Sequence, residues 1–257
     1  MTDWSLAQRH AAPNFEIGNV FSRSFQLYGR KLPVYYLLTL VIALPNLYAA
    51  TQTAALTPAN VDGRPVLPPG YWQHAAPVFT ISTLFYILQM AVLLHVALQD
   101  IRGRPFDLGQ SLTRGLLRIL PILATIFLAY LAITFGAILL FFPGIMVWMM
   151  LSVSVQACLD ESPNPFTAMG RSAQLTKGHR WSILGIELVF YIVVFGIDFT
   201  FRRMLGLAFS PEIVALLNFP VSAVFSSYGA VLGAVMYQAL REAKEGVAGD
   251  HIATVFD

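Results

Sequence analysis

Residues 119–159 read ILPILATIFLAYLAITFGAILLFFPGIMVWMMLSVSVQACL, a run without a single Asp, Glu, Lys or Arg. One helical crossing of the hydrocarbon core of a membrane needs about 20 apolar residues, so this run is long enough for two crossings. Phe142-Pro143-Gly144 interrupts it, and proline followed by glycine favours a turn. The run therefore predicts two membrane-spanning helices joined by a tight hairpin.

Four further apolar stretches meet the same length requirement. They run from about Leu32 to Ala50, Pro77 to Leu98, Trp181 to Phe201 and Ile213 to Leu240. The chain of 257 residues is 56% hydrophobic and 12% charged, whereas soluble domains average about 25% charged residues. We therefore expect an all-α polytopic integral membrane protein, a single membrane domain over 1–257 with six transmembrane helices arranged as three hairpins.

The basic residues predict the orientation of these spans, because loops rich in Lys and Arg stay in the cytoplasm. Segments 1–31, 99–118, 160–180 and 241–257 would share one side, and they carry thirteen of the 16 basic residues. The other side carries Arg64, Arg202 and Arg203. This asymmetry predicts that both termini are cytoplasmic and that 51–76 is an outer loop.

A short amphipathic segment precedes each odd-numbered span. In the first, Ile17, Phe21, Phe25 and Tyr28 share one helical face, and in the other two Asp107 and Asn164 are placed as helix caps. We expect each hairpin to be preceded by a cytoplasmic amphipathic helix, which gives repeat units of about 15–98, 106–160 and 163–240. The alternative stays open that such helices resemble one another because they meet the same interface.

The basic residues of these segments are candidate contacts for anionic lipid headgroups at the cytoplasmic face, at about 1 kcal/mol for each residue near a charged surface. Ordinary positive-inside topology is the alternative reading. The candidates are Arg23, Arg30, Lys31, Arg114, Arg118, Arg171, Lys177 and Arg180.

Ionisable residues inside the spans form a second candidate site, because a charge at mid-membrane costs roughly 2.5 to 3.5 kcal/mol. Glu187 and Asp198 lie close to three helical turns apart on one face of the fifth span. Arg202 follows Asp198 at a spacing of four and is its expected ion partner, while His95 is a candidate partner for Glu187. The site is either structural or a polar path for a headgroup, a proton or a small solute.

The sequence also resembles a known family through Pro143-Gly144-Ile145, Asp160-Glu161-Ser162-Pro163 and the run AMGRSAQLTKGHRW over 168–181. Over about 143–185 it resembles bacterial proteins named after the glycerophosphoryl diester phosphodiesterase membrane domain. The soluble catalytic barrel of the family's phosphodiesterases is absent from this sequence. The resemblance implies six-helix membrane architecture in the bacterial cytoplasmic (inner) membrane, and it does not imply phosphodiesterase activity.

The sequence offers no arrangement that would support catalysis. The five histidines, His10, His74, His95, His179 and His251, have no metal-ligand spacing, and neither a serine nucleophile motif nor a phosphate-binding glycine loop is present. A net charge of +2 on scattered basic residues does not indicate nucleic acid. We therefore expect no enzyme, cofactor or metal, but a membrane protein that organises or handles lipids or partner proteins. The alternative is a small transporter or channel with a path including Glu187 and Asp198.

Overall fold

The fold is a bundle of ten helices within the residues that the computed structural model describes, 15–54, 59–61, 64–67, 69–105 and 107–245. The helices are α1 (Ile17–Arg30), α2 (Leu32–Ile42), α3 (Leu44–Ala54), α4 (Tyr71–Ile101), α5 (Leu108–Leu139), α6 (Phe141–Leu151), α7 (Ser154–Asp160), α8 (Pro165–Thr176), α9 (Arg180–Gly206) and α10 (Pro211–Glu245). A short antiparallel pair, β1 (Ala59–Val61) and β2 (Arg64–Val66), lies in the expected outer loop.

Several of these helices are compatible with a multi-pass membrane protein, as expected. Within the described ranges, α4, α5, α9, α10 and the segment Phe141–Asp160 are long and apolar enough to cross a membrane. The pair Leu32–Ile42 and Leu44–Gln52 gives a sixth span if its bend of 48° lies within one crossing. Pro45 lies in the first turn of α3, directly after this bend.

The hairpin predicted at Phe142-Pro143-Gly144 is present. Leu140 is the one extended residue between α5 and α6, and Pro143 falls in the first turn of α6, where its missing N–H costs no helical hydrogen bond. The two helices approach closely at Gly144, where an added Cβ would lie 2.8 Å from the Cβ of Ala137. A glycine is therefore required for this contact.

The second amphipathic segment is not a separate helix, so this part of the prediction is wrong. Asp107 does cap the segment, accepting from the backbone N–H of Gln110 at 3.0 Å, but α5 then continues unbroken from Leu108 to Leu139. The first segment ends at Lys31, followed by Pro33, and the third ends at Gly178, whose φ of +92° favours glycine. The second contains Gly109 and Gly115, neither of which has a positive φ, and no proline before Pro121, and α5 passes through this proline as well.

The third amphipathic segment, α8, packs into the bundle through small polar residues. Its Ser172 hydroxyl donates to the Met150 carbonyl at 2.7 Å and accepts from the Val153 N–H at 3.3 Å. These are backbone groups at the break between α6 and α7. The hydroxyl therefore satisfies backbone groups that the break would otherwise leave without partners.

The last helix, α10, lies at the centre of the bundle and contacts α1, α2, α3, α4 and α9. The hydroxyls of Ser24 and Tyr28 on α1 form hydrogen bonds with Tyr228 and Ser227 on α10, at 2.9 Å and 2.8 Å. As a result α1 buries Val20, Ser24 and Tyr28, while Phe25, expected on the same face as Tyr28, is 61% exposed. One end of the bundle, where the ends of α4, α7 and α10 meet α8, is called the basic end below.

Candidate functional site

A pocket of about 220 Å³ lies between α2, α3, α4 and α10, and we call it the amide pocket. Three amide side chains line it, Asn46, Gln89 and Asn218, together with the hydroxyls of Ser222 and Ser226. The pocket is half-enclosed, and its walls come from helices that are otherwise apolar. Gln89 donates to the Ser226 hydroxyl at 2.6 Å, and Ser222 donates to the Phe219 carbonyl at 2.8 Å, so part of this polar lining has partners within the protein. Polar groups that converge between apolar helices make this pocket the candidate binding site.

Asn218, one of the lining residues, has a buried hydrogen-bonding atom without a partner among the described residues. Its side chain is 1% exposed, and its Nδ2 donates to Asp198 Oδ1 at 2.9 Å. Because the amide nitrogen must face the carboxylate, this bond also fixes the orientation of the amide. Its Oδ1 is buried and has no hydrogen-bond partner among the described residues, which costs about 1–3 kcal/mol. Oδ1 of Asn46 is also buried and has no hydrogen-bond partner among the described residues.

The ion pair predicted between Asp198 and Arg202 is present and adjoins the amide pocket. Arg202 Nε donates to Asp198 Oδ2 at 2.8 Å, and Arg202 is among the lining residues. The guanidinium side chain is 52% exposed, so its remaining N–H groups are accessible. The pocket lining therefore includes one accessible cation, Arg202, whose carboxylate partner Asp198 is not itself a lining residue.

Glu187 and His95 do not meet, so the suggested pairing is wrong. His95 is buried near the basic end and its Nδ1 lies 3.0 Å from the Ser111 hydroxyl. Glu187 lies in the first half of α9, and its Oε2 is buried without a hydrogen-bond partner in the described part of the chain. Neither residue lines the amide pocket.

An ionic cluster lies at the basic end. We define it by Arg102, Asp160, Glu161, Arg171 and Arg241. Arg102 donates two hydrogen bonds to the Asp160 carboxylate, at 2.8 Å and 2.6 Å, and Arg241 approaches the same carboxylate at 3.3 Å. Arg171 pairs with Glu161 at 2.8 Å. The bonds to Asp160 raise the pKa of Arg102 above its usual range, so its charge is fixed. The cluster ties the ends of α4, α7, α8 and α10 together.

Several of the basic residues predicted to contact lipid headgroups form ion pairs or hydrogen bonds within the protein instead. Arg23 pairs with Glu242 at 2.8 Å, Lys31 pairs with Asp100, and Arg171 belongs to the ionic cluster. Arg114 and Arg118 donate to backbone carbonyls of α7. Arg30 and Lys177 are exposed, and Arg180 has a buried Nε without a partner among the described residues. These eight residues therefore form no single site.

Within the described residues, no group of three or more His, Cys, Asp or Glu side chains is placed to hold a metal ion. His10 and His251 lie outside those residues. The chain matches no protein-family model, no curated protein and no solved structure.

The amide pocket itself was missed at the level of sequence. Asn46, Gln89 and Asn218 carry no charge, so a search for ionisable residues in the spans passes over them. They are amides inside the first, second and sixth apolar stretches, as is Gln238 in the sixth, and this was the available signal. Their meeting in one pocket depends on how α3, α4 and α10 pack.

Proposed function

We propose that this chain is a non-enzymatic multi-pass protein of the bacterial cytoplasmic membrane that binds the polar part of a membrane lipid in the amide pocket. The observation that carries the proposal is a half-enclosed pocket lined by three amide side chains and by one accessible cation, Arg202. The exposed guanidinium is suited to an anionic group such as a phosphate. The bacterial location rests on the family resemblance over 143–185.

The size of the pocket supports a headgroup as the occupant. Pockets for drug-sized ligands measure about 300–1,000 Å³, so about 220 Å³ is too small for a whole lipid and suits its polar part. The acyl chains would then lie against the exposed apolar side chains of neighbouring helices, such as Leu216 and Leu217 on α10. The ion pairs of the basic end make that end a poorer site for headgroups.

The test is to fill the pocket without removing a hydrogen bond. Ala215 lines the pocket, and Ala215→Phe adds an aromatic ring there. Ala208→Phe, at an exposed position between α9 and α10, is the matched control. Protein reconstituted in bacterial lipid extract is passed through mild detergent, and native mass spectrometry counts the retained lipids. We expect A215F to lose bound lipid that the unaltered protein and A208F keep. Equal retention in all three would refute the proposal.

A small transporter or channel is the second candidate, and the buried, unpaired Oε2 of Glu187 favours it. A transport path would bring water to Glu187, whereas a lipid-binding protein would keep this position dry. Access of water to this position is measured with Glu187→Cys in a Cys158→Ala background. Because Cys158 is the one cysteine of the chain, the new thiol is then the only one that can be labelled. Labelling by a membrane-impermeant maleimide would support transport. Protection from the reagent, with the denatured protein as a positive control, would argue against it.

A further inference from the structure

We infer that the amide pocket takes a phospholipid from the membrane leaflet opposite the basic end, with Arg202 binding the lipid phosphate. This inference rests on the proposed function and adds the side of the membrane and the group that is recognised. It follows from the position of the pocket along α10, from the exposure of its lining and from the free N–H groups of Arg202.

The pocket lies toward the end of the bundle that is opposite the basic end. From Asn218 in the lining to Arg241 in the ionic cluster, α10 runs for about 35 Å, at about 1.5 Å for each residue. A tilt of about 20° reduces this height to about 32 Å, close to the roughly 30 Å of a hydrocarbon core. When the ionic cluster lies at one polar boundary of the membrane, Asn218 and Arg202 therefore lie at the other.

The exposure of the lining indicates the side from which a headgroup enters. Arg202, at the end of the pocket away from the ionic cluster, has a side chain that is 52% exposed. Thr39 and Gln89 line the pocket nearer the basic end, and they are 0% and 2% exposed. The pocket is therefore open beside Arg202 and closed toward the middle of the bundle.

Arg202 has the hydrogen-bonding groups that a phosphate requires. Its Nε donates to Asp198 Oδ2 at 2.8 Å, while its Nη atoms have no hydrogen-bond partner among the described residues. Asn218 donates to the other oxygen of Asp198 at 2.9 Å, so this carboxylate is fully occupied and positions the guanidinium. Two N–H groups of a guanidinium can bind two phosphate oxygens side by side. A neutral lipid such as a diacylglycerol offers no such anion.

Binding of lipids with and without a phosphate tests the recognised group. The delipidated protein in detergent is titrated with phosphatidylglycerol and with diacylglycerol of identical acyl chains, and native mass spectrometry gives the affinities. We expect phosphatidylglycerol to bind about tenfold or more tightly, since a hydrogen bond to a charged group has this magnitude. Arg202→Gln should abolish the difference. Arg203→Gln changes a neighbouring exposed arginine that does not line the pocket, and should keep the difference.

The side of entry is tested in vesicles that hold the protein in both orientations. Ser210→Cys in a Cys158→Ala background places a single thiol between α9 and α10, at the end opposite the ionic cluster. A membrane-impermeant biotin maleimide then separates the molecules that expose this end. Phosphatidylglycerol with a photoreactive headgroup is delivered to the outer leaflet only. We expect crosslinks to the pocket lining in the biotinylated molecules and not in the others. Equal crosslinking of both would refute the assignment of the leaflet.

The outcomes separate this inference from the function beneath it. If phosphatidylglycerol and diacylglycerol bind equally and Ala215→Phe weakens both, phosphate recognition is refuted and the lipid pocket stands. If inorganic phosphate at millimolar concentration displaces phosphatidylglycerol from the unaltered protein, the site belongs to a soluble anion and a lipid is refuted as its occupant. If A215F changes the binding of neither lipid, both proposals fail.

Discussion

Removing the charge of Asp160 should be among the most destabilising single substitutions in this protein. Its carboxylate is 10% exposed and accepts from Arg102 at 2.8 Å and 2.6 Å, from Arg241 at 3.3 Å and from Tyr237 at 3.3 Å. Asp160→Asn keeps the shape and one acceptor oxygen. It leaves two arginines facing each other without the carboxylate that they share.

The magnitude follows from the exposure of the partners. Removing one partner of a fully buried ion pair costs about 3–5 kcal/mol. Arg102 and Arg241 are 28% and 29% exposed, so water recovers part of their solvation, and we expect a loss of about 2–3 kcal/mol. For a chain of this size, each kcal/mol lowers the melting temperature by roughly 2–4 °C, so D160N should melt about 4–12 °C lower.

The assay is thermal unfolding in one detergent, followed by tryptophan fluorescence, with Asp107→Asn as the control. Asp107 is a helix cap, and asparagine caps a helix as well as aspartate does, so D107N should be nearly neutral. The double variant R102Q/D160N should recover part of the loss, because one unpaired charge is removed. The reasoning is refuted if D160N melts within about 2 °C of D107N, a shift worth less than about 1 kcal/mol.

Three further variants test the packing and the pH response, again by thermal unfolding. Ser172→Ala removes the hydroxyl that satisfies two backbone groups at the break between α6 and α7, and should cost about 1–3 kcal/mol, whereas Ser22→Ala at an exposed position should cost little. Gly144→Ala should also cost about 1–3 kcal/mol, because its Cβ would collide with α5. Gly196→Ala has open space around it and should be neutral or stabilising, and equal effects of the two glycine variants would contradict the tight hairpin. Burial, and then a nearby lysine, lower the pKa of His179, so the unfolded chain binds its proton more readily and stability should fall as the pH drops through about 6.5. His179→Gln should flatten this dependence, and an unchanged pH profile would show that His179 does not cause it.

The helices and their breaks were largely predictable, because span length and breaking residues are local properties. The turn at Phe142-Pro143-Gly144 and the caps Asp107 and Asn164 are read from neighbouring residues alone. The second surface helix was mispredicted because the prediction rested on local charges alone. Its charges suggested an interface helix, but the chain between Arg118 and Pro121 contains nothing that ends a helix.

Contacts between distant residues were not predictable in the same way. The ion pair of Asp198 and Arg202 could be predicted, since both residues lie on one helix at a spacing of four. The pairing of Arg23 with Glu242, 219 positions later, could not be predicted. It places Arg23, a predicted lipid contact, in an ion pair within the protein. The amide pocket likewise draws its lining from helices of four separate apolar stretches.

The position of α10 has a consequence for how the protein is made. This helix follows all the other described helices in the chain, so the ribosome delivers it after them. Until then Ser24, Tyr28, Gln89 and Asp160 lack hydrogen-bond partners that α10 supplies. If the helices enter a membrane in chain order, the earlier ones do so with these polar groups still uncovered. A chain that stops before Pro211 would leave the same groups without those partners permanently, and we expect it to be less stable than the full chain.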